Sequence, residues 1–539
     1  MRRNALVGCL FGLLLVGDVR AAVPPAHTLL PAGGQVGTTV SVDVVGIVDL
    51  TGMQFACSVP EIRGVMSPDK KRLLVTIPKD APLGLAWIRL FNAEGSSPPL
   101  AFIVGHLPEI QETEPNDRYS KPQVVTLPGV VNGRLEKGGD TDLFQTTLEA
   151  GQTLVADLEA HEQIGSPMDG MLQVVDERGF VVAENVDFRG LDARVVYTPT
   201  RAGKYAVRVS AFPSQPDASV QLAGGFNYVY RLTLTAGAFA AHAFPSAIAR
   251  PNPPATIELR GHNLPPAQGV VPVPKSLPMS DHLLVHAPQV ANPVAVAIEP
   301  HAVIAEQEPN PLDRPQAVPV PVTICGVIQE RNDRDVYTIA VKKGQPIHIT
   351  LDAVSFGSPL DALVRVRTKD GSIITQVDDV KKDADPTLRI VRDADEEIRI
   401  EVTDLYSHGG PGYAYHLRIT PTPGPASATV PAEQFTFPVG QPFEIKLTIA
   451  NPSGKPQSIT AEGLPAGISL VEPVTIPDSK AKEVTLKLKA DKPGISGGFR
   501  LRIGEKNLPS RPVLAKLGDS NRTLDWLWLT TTAEKPKAK

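Results

Sequence analysis

The sequence contains little cysteine, few aromatic side chains and no excess of positive charge. Of its three cysteines, Cys9 lies in the N-terminal apolar stretch, whereas Cys57 and Cys325 fall in different predicted domains. We therefore expect single buried thiols and no disulfide framework. The formal net charge is −5, so the chain has no basic field that would attract nucleic acid or an anionic membrane.

The chain also lacks the motifs of common enzyme families. It has no H-E-x-x-H, no paired CxxC and no glycine-rich loop ending in Gly-Lys-Ser/Thr. HGGPG at 408–412 resembles the oxyanion loop of a hydrolase, and GISGG at 494–498 fits G-x-S-x-G. In such hydrolases an acid and then a histidine follow the serine, but no histidine follows His416, so Ser496 has no downstream base. We predict that the protein is not an enzyme.

Long hydrophobic runs are absent as well, since no segment approaches the ~20 apolar residues of a membrane-spanning helix. The N-terminus instead has Arg2 and Arg3, an apolar stretch from Ala5 to Val16, and a small-x-small pattern that ends at Ala21. This order is typical of a secretory signal peptide cleaved after Ala21. The sequence therefore predicts an exported protein, periplasmic or extracellular, with no membrane span.

Proline, glycine and short alternating segments are abundant. The chain has 53 prolines and 44 glycines, and between them lie runs such as TTVSVDVVG, KYAVRVSA, IRIEVTD and KEVTLKLKA. Alternation of apolar and polar residues is typical of half-buried antiparallel strands. Because the chain is too long for a single core, the predicted fold class is all-β, with several β-sandwich domains in tandem.

An internal repeat organises the middle of the chain. The corresponding blocks are QETEPN (111–116) with AEQEPN (305–310), GGDTDLFQTTLEAGQ (138–152) with RNDRDVYTIAVKKGQ (331–345), SPMDGMLQVVDERG (166–179) with SPLDALVRVRTKDG (358–371), and GGFNYVYRLTLT (224–235) with GGPGYAYHLRIT (409–420). Their shared order predicts two domains with the same strand order. The spacing shortens before the last block, so the loop near 212–223 should be longer than its counterpart.

The motif order EPN, D-x-D, Gly-Gln, S-P-x-D and Y-x-Y-x-L resembles the bacterial pre-peptidase C-terminal domain. The regions before each copy resemble IPT/TIG-type domains, the last region resembles immunoglobulin-like accessory domains, and the arrangement is similar to exported planctomycete proteins. The resemblance implies jelly-roll-like and immunoglobulin-like sandwiches. The predicted boundaries are 1–21 signal peptide, 24–108 immunoglobulin-like, 112–236 first copy, 237–304 immunoglobulin-like, 306–420 second copy, 421–431 proline-rich linker, 432–531 immunoglobulin-like and 532–539 disordered tail.

The acidic phrase at the start of each copy is the candidate functional site. Calcium takes six to eight oxygen ligands and tolerates irregular geometry, and the first phrase offers several oxygen-bearing side chains within a few residues. The resemblance implies that these acids bind calcium together with those of the following turn. In the first copy the matching residues are Glu112, Glu114, Asn116, Asp117, Asp140 and Asp142. The alternative is that Asp and Asn here only favour turns on a solvated surface.

The second copy has a weaker version of the same set. It keeps Glu306, Glu308, Asn310, Asp333 and Asp335, but Pro311 stands where the first copy has Asp117. Because proline offers no side-chain ligand, we expect weaker calcium binding there. The function predicted is that of an exported binding, adhesion or scaffolding protein whose partner is an unidentified protein or polysaccharide. The alternative, inferred from the family's usual company, is an accessory or secretion-associated protein of a separate exported peptidase.

Overall fold

The computed structural model describes residues 24–215, 221–278, 280–378, 385–421, 424, 426–450, 454–478, 480–505, 510–518 and 522–533. Strands account for 51% of the chain and helix for 1%, which confirms the all-β fold class. Among the described residues, helix is limited to α1 (Pro266–Gly269) and a 3-10 turn at Val354–Phe356. Within the described ranges, no helix has the length and apolarity needed to cross a bilayer. The predicted signal peptide and residues 534–539 of the predicted tail lie outside the described residues.

The first sandwich consists of two four-stranded sheets around one apolar core. Its strands are β1 (Thr28–Leu30), β2 (Gly33–Gln35), β3 (Thr39–Val45), β4 (Gln54–Cys57), β5 (Arg63–Met66), β6 (Leu73–Thr76), β7 (Gly84–Phe91) and β8 (Leu100–Gly105). The sheet orders are β1-β3-β6-β5 and β2-β8-β7-β4. Most pairs are antiparallel, whereas β2 runs parallel to β8 at the edge of its sheet.

The second sandwich has two five-stranded sheets. Its strands are β9 (Glu109–Gln111), β10 (Gln123–Val124), β11 (Gly129–Arg134), β12 (Asp142–Leu148), β13 (Leu154–Glu159), β14 (Met168–Val175), β15 (Val181–Asn185), β16 (Arg194–Tyr197), β17 (Gly203–Pro213) and β18 (Val229–Thr235). The sheet orders are β10-β12-β17-β14-β15 and β16-β13-β18-β11-β9. The faces of these two sheets enclose a single core that includes Phe144, Leu172 and Tyr230.

The third sandwich is the smallest of the five. Its strands are β19 (Phe239–Phe244), β20 (Ala247–Ala249), β21 (Thr256–His262), β22 (Val270–Pro272), β23 (His282–Val285) and β24 (Val294–Glu299). They form three-stranded sheets in the orders β19-β21-β22 and β20-β24-β23. As in the first sandwich, its second strand runs parallel to its last, here β20 beside β24.

The fourth sandwich repeats the strand order of the second. Its strands are β25 (Val303–Ala305), β26 (Gln316–Ala317), β27 (Val322–Val327), β28 (Asp335–Val341), β29 (Pro346–Asp352), β30 (Ala362–Thr368), β31 (Ile373–Val377), β32 (Thr387–Val391), β33 (Glu396–Asp404) and β34 (Ala414–Thr420). The sheet orders are β26-β28-β33-β30-β31 and β25-β27-β34-β29-β32. Each strand lies where its counterpart lies in the second sandwich, which confirms the prediction of a common strand order.

The loop prediction is confirmed as well. Between the last two strands, the connection covers residues 214–228 in the second sandwich and 405–413 in the fourth. Elsewhere the backbone hydrogen bonds correspond between the copies. For example, Glu112 N–H donates to the Asn132 carbonyl and Glu306 N–H donates to the Cys325 carbonyl, both at 3.0 Å.

The fifth sandwich closes the described chain. Its strands are β35 (Ser427–Val430), β36 (Gln434–Pro438), β37 (Phe443–Ala450), β38 (Gln457–Glu462), β39 (Ile468–Leu470), β40 (Val474–Ile476), β41 (Glu483–Ala490), β42 (Ser496–Gly504), β43 (Arg511–Pro512), β44 (Leu514–Lys516), β45 (Thr523–Leu524) and β46 (Leu527–Thr532). The sheet orders are β39-β41-β37-β35-β44-β45 and β36-β46-β42-β38-β40, with β43 beside β42. Cys57 and Cys325 are free thiols; Cys325 is buried as predicted, whereas Cys57 is only half-buried.

Candidate metal centre

The first acidic phrase lies where the chain enters the second sandwich. Strand β9 pairs in parallel with β11, and Glu112 continues this pairing by one residue. Strand β12, in the opposite sheet, begins at Asp142 and pairs with β17. The phrase and the start of β12 therefore meet at one end of the sandwich, although the sequence separates them by the whole of β10 and β11.

This meeting brings the predicted acids together. One ligand oxygen each from Glu112, Glu114 and Asp142 lie within 4.8 Å of one another. A second group of the same size contains Glu114, Asp117 and Asp140. Glu114 belongs to both groups, so the five carboxylates form one continuous acidic centre.

Two buried oxygens of this centre have no hydrogen-bond partner. Asp142 is fully buried, and its Oδ2 accepts a 2.6 Å hydrogen bond from the Tyr230 hydroxyl, but its Oδ1 has no partner. Asn116 is also buried, and its Nδ2 lies 3.3 Å from Glu112 Oε1 whereas its Oδ1 has no partner. An unpartnered buried acceptor costs free energy, and a cation that accepts oxygen ligands would satisfy it.

Backbone groups fix the orientation of the remaining carboxylates. Glu112 Oε2 accepts a hydrogen bond from the N–H of Arg134 at 2.8 Å, and Glu114 Oε2 accepts one from the N–H of Asn116 at 3.0 Å. Asp140 Oδ2 accepts the N–H of Glu136 at 2.5 Å. Glu112, Glu114 and Asp140 thus each use one oxygen for the backbone, while Oε1 of Glu112 faces Asn116 Nδ2 and the Tyr230 hydroxyl, both at 3.3 Å.

The electrostatics of the metal-free centre disfavour its full ionisation. Burial, with the neighbouring carboxylates as a further cause, raises the pKa of Glu114 to about 7. Burial and the adjacent Glu112 raise the pKa of Asp142 far above its ordinary value. A bound divalent cation would reverse this balance, because opposite charge favours the ionised carboxylate.

The fourth sandwich builds the corresponding centre from fewer acids. One oxygen each from Glu306, Glu308 and Asp335 lie within 4.8 Å of one another. Asp335 is fully buried and its Oδ1 has no partner, while neither polar atom of the buried Asn310 side chain has one. Burial raises the pKa of Glu306 to about 8 and that of Asp335 well above its ordinary value.

Both side-chain oxygens of the predicted ligand Asp333 accept backbone hydrogen bonds. Its Oδ2 accepts the N–H of Gln329 at 2.7 Å and its Oδ1 accepts the N–H of Arg334 at 2.8 Å. It does not belong to the group of three acids that the structure brings within 4.8 Å. A basic side chain holds the loop beside this centre in place. Arg399 Nη1 donates to the Leu312 carbonyl at 2.9 Å and so fixes the loop after Pro311.

Sequence reasoning missed the tyrosines that support both centres. Tyr230 reaches across the second sandwich to Asp142, and Tyr415 donates to Asp335 Oδ2 at 2.5 Å. In both copies a glycine on the neighbouring strand makes room, since a Cβ at Gly133 would overlap the Tyr230 hydroxyl. Gly326 has the same relation to Tyr415. The signal was present in the sequence, because the Y-x-Y block and this glycine recur in both copies.

The two hydrolase-like motifs fall in ordinary structural positions. Ser496 begins strand β42, and its hydroxyl lies 2.8 Å from the Thr530 hydroxyl on β46. His408–Gly412 lies in the connection before β34, where the N–H of Tyr413 bonds to the Gly410 carbonyl. The repeat predicts this place for it, as the counterpart of the turn before β18.

No protein-family model and no curated protein matches this sequence. Among solved structures, the chain is similar to the pre-peptidase C-terminal domain of a collagenase from Bacillus anthracis, with 14% identity, TM-score 0.17, and coverage of 23% of this chain and 100% of that one. A Bacteroides ovatus SGBP-B solved with a mixed-linkage heptasaccharide is 8% identical with a TM-score of 0.14, and the match covers 73% of this chain and 74% of that one. The N-terminal four Ig domains of Dscam1 isoform 1.9 are 11% identical with a TM-score of 0.17, and the match covers 91% of this chain and 97% of that one.

Proposed function

We propose that the second sandwich binds calcium at the centre formed by Glu112, Glu114 and Asp142, with Asn116 as a neutral ligand. The observation that supports this most directly is the unpartnered Oδ1 of the fully buried Asp142 among other carboxylates. Like charges ~4 Å apart repel by ~4 kcal/mol at an effective dielectric of 20. A divalent cation would offset that repulsion and satisfy the buried oxygens in one step.

Calcium is the cation whose chemistry fits this ligand set. All of its side chains offer oxygen and none offers sulfur or imidazole. Asp142 lies at the first position of a strand, and the other carboxylates come from irregular backbone with unequal spacing. Calcium accepts 6–8 oxygens in flexible geometry, whereas magnesium demands a near-ideal octahedron. The centre of the second sandwich also includes Asp117 and Asp140, which lie near Glu114. These two carboxylates would complete the ligand sphere.

Bound calcium would fasten the start of the second sandwich to the opposite sheet. Glu112 follows β9, the strand that links the first sandwich to the second, and Asp142 begins β12. A cation held by both would therefore cross-link the junction and stabilise the native state by linkage. In the fourth sandwich Glu306, after β25, and Asp335 have the same relation, so we propose a weaker site there.

At the level of the whole protein, we propose an exported, non-catalytic scaffold that presents tandem sandwiches, with the domain boundaries predicted above, to a protein or polysaccharide. The series of five β-sandwiches and the acidic centres at the start of the second and fourth support this role. The alternative is an accessory protein of a separate exported peptidase. A peptidase gene beside this one would favour the alternative, whereas envelope or matrix genes would favour the scaffold.

Calcium titration of the full chain by isothermal calorimetry tests the metal site. The wild type should show a binding event in the range of ~10⁻⁴–10⁻³ M or tighter, as in other extracellular modules, and Asp142→Asn should leave only the weaker binding of the fourth sandwich. The matched control is Asp187→Asn, an exposed aspartate in the same sandwich, which should leave the titration unchanged. Absence of binding in the wild type, or equal loss in both variants, would contradict the proposal.

A further inference from the structure

One strand of the first sandwich is buried on both faces. Along β7, Ala86, Ile88 and Leu90 pack in the sandwich core, and the alternation of a strand places Trp87 and Arg89 on the opposite face. That face would meet solvent in an isolated sandwich, yet Trp87 is 8% exposed and Arg89 0%. Another part of the molecule must therefore cover it.

The cover is the fifth sandwich, whose first strand begins only at Ser427. Residues of both sandwiches form one apolar cluster, which contains Trp87, Ala101, Leu517, Leu524, Trp526 and Trp528. The ring centroids of Phe91 and Trp528 are 5.0 Å apart. Trp526 and Trp528 also meet edge to face, with centroids 5.8 Å apart.

Arg89 is positioned for this contact by its own sandwich. Its Nη1 donates to Ser96 Oγ at 3.0 Å and to the Ser97 carbonyl at 2.8 Å. These bonds hold the planar guanidinium at the surface of the sheet. A buried charge requires such partners, because desolvation is costly unless the group is hydrogen-bonded.

The other partners of Arg89 come from the fifth sandwich. The guanidinium carbon lies 5.9 Å from the ring centroid of Trp526 and 5.8 Å from that of Trp528, within cation–π range. Its Nη2 donates to the Glu433 carbonyl at 3.4 Å. The arginine therefore bonds to serines of one sandwich and to tryptophans and backbone of the other.

Polar bonds surround this apolar centre. Arg500 Nη2 donates to the Ser58 carbonyl of the first sandwich at 3.3 Å. Arg522 Nη1 donates to the Gln163 carbonyl of the second sandwich at 3.0 Å. The fifth sandwich thus contacts both of the first two, with an apolar and aromatic centre and polar bonds around it, which is the usual composition of a specific protein interface.

We infer that the fifth sandwich docks on the first in solution and closes the chain on itself, so that the partner of this surface is the chain's own last domain. The inference is independent of calcium binding. It also assigns a role to Trp526 and Trp528 of the LDWLWL segment, whose alternation in the sequence favours packing in a core or at a sheet edge over a ligand platform. In the closed chain these rings contact Arg89 and Phe91 and are covered.

Tryptophan fluorescence provides a direct test, because the chain has three tryptophans and all three lie in this cluster. Ala101 is buried in it on the outer face of β8, so Ala101→Arg places a long charged side chain between the two sandwiches. The emission maximum should move to longer wavelength and the radius of gyration in X-ray scattering should rise. The matched control is Ser41→Arg, exposed on the other sheet of the same sandwich, which should change neither.

A second variant separates opening from misfolding of one domain. Leu517→Arg acts from the fifth sandwich and should give the same emission shift and the same increase in radius as Ala101→Arg, with the far-ultraviolet β spectrum retained in both. Unchanged emission and radius in these two variants would overturn the inference, as would opposite behaviour of the pair. A wild-type dimer that both variants convert to monomers would also overturn it, since the contact would then join two copies.

Discussion

The second and fourth sandwiches carry an acidic centre at the same place in the same strand order, yet their surroundings differ. Asp117, Thr141 and Phe144 in the second correspond to Pro311, Arg334 and Tyr337 in the fourth. The backbone bonds that hold the acids recur in both, from Arg134 N–H to Glu112 and from Val327 N–H to Glu306. The two copies thus share a hydrogen-bonded frame, that is, the backbone and tyrosine bonds to the acids. The charged residues next to this frame differ between the copies.

Comparing the two centres shows which residues both sandwiches share and which acids belong to the second sandwich alone. A buried aspartate, a tyrosine that bonds to it and a glycine that admits the tyrosine are common to both centres. An additional acidic pair, Asp117 and Asp140, converges only in the second among the described residues. In the fourth, the Tyr337 hydroxyl lies 2.6 Å from that of Tyr415 and extends the neutral hydrogen-bond network.

The largest effect is expected from removing the buried charge of the stronger centre. Asp142→Asn should lower the calcium affinity of the second sandwich by roughly 100-fold, because losing one partner of a buried charge interaction costs about 3 kcal/mol or more. The rise in melting temperature on adding calcium should shrink accordingly in differential scanning calorimetry. Asp335→Asn, the matched change in the fourth sandwich, should reduce that rise much less. Equal losses in the two variants would remove the proposed difference between the centres.

The shared frame predicts equal effects from the glycines. Gly133→Ala and Gly326→Ala both force a Cβ into a buried tyrosine, and overpacking of this kind costs about 1–3 kcal/mol. Chemical denaturation should show a similar loss in the sandwich that carries each substitution. Gly179→Ala is unsuited as a control because of its positive φ, whereas Gly424→Ala has open space around it and should be near neutral. A large effect in one copy only would show that the frames differ.

The fourth centre should improve when its neighbours are made like those of the second. Pro311→Asp together with Arg334→Thr adds an anion and removes a cation beside the acids. Each change contributes about 1 kcal/mol at a partly exposed position, so calcium affinity should rise roughly 30-fold. Arg334 Nε lies 3.7 Å from Oε1 of the buried Glu401, and Glu401 keeps its bonds to Arg365 and Arg367 in this variant, which protects the fold. Calorimetric titration in the Asp142→Asn background isolates the fourth site, and an unchanged affinity there would disprove the role of these neighbours.

The smallest effect is a gradual pH dependence of the metal-free protein. The folded-state pKa values of Glu114, about 7, and Glu306, about 8, lie above the ordinary 4.5, so the folded state binds more protons than the unfolded state. The stability contributed by these two carboxyls is then fully present below about pH 4.5 and is lost as pH rises through about 7 for Glu114 and about 8 for Glu306. Asp142 and Asp335, whose pKa values are raised further, extend the fall to higher pH. The slope stays below about 1.4 kcal/mol per pH unit for each carboxyl, and less for Glu114, which water screens. Calcium should flatten this slope in urea titrations, whereas stability that rises over the same range would contradict the assigned shifts.

Local pattern was sufficient to predict the fold class and the repeat. Alternation along KYAVRVSA and IRIEVTD predicts strands that the structure contains as β17 and β33, because the period of a strand follows from its own geometry. The acids of the first phrase and of the next turn also converge as the resemblance implied. The block alignment determined which residues correspond, and it remained valid for the hydrogen bonds of the frame.

Long-range packing could not be predicted in this way. Nothing in the sequence around Arg89 indicates that it meets Trp526 and Trp528, because a contact between the first and last sandwiches leaves no local period. Asp333 shows the same limit at short range, since whether a carboxylate binds backbone N–H groups or a cation depends on the path of the turn. The sequence supplies candidate ligands, and the backbone determines which of them are available.

Anomalous diffraction from crystals of the full chain grown with terbium, a calcium substitute that scatters strongly, tests metal binding at the second sandwich. We expect a peak enclosed by the side-chain oxygens of Glu112, Glu114, Asn116 and Asp142, stronger than any peak beside Glu306 and Asp335. A map with no peak at the second sandwich, or with its only strong peak at the fourth, would contradict the account and leave the acidic phrase as a turn that starts a strand.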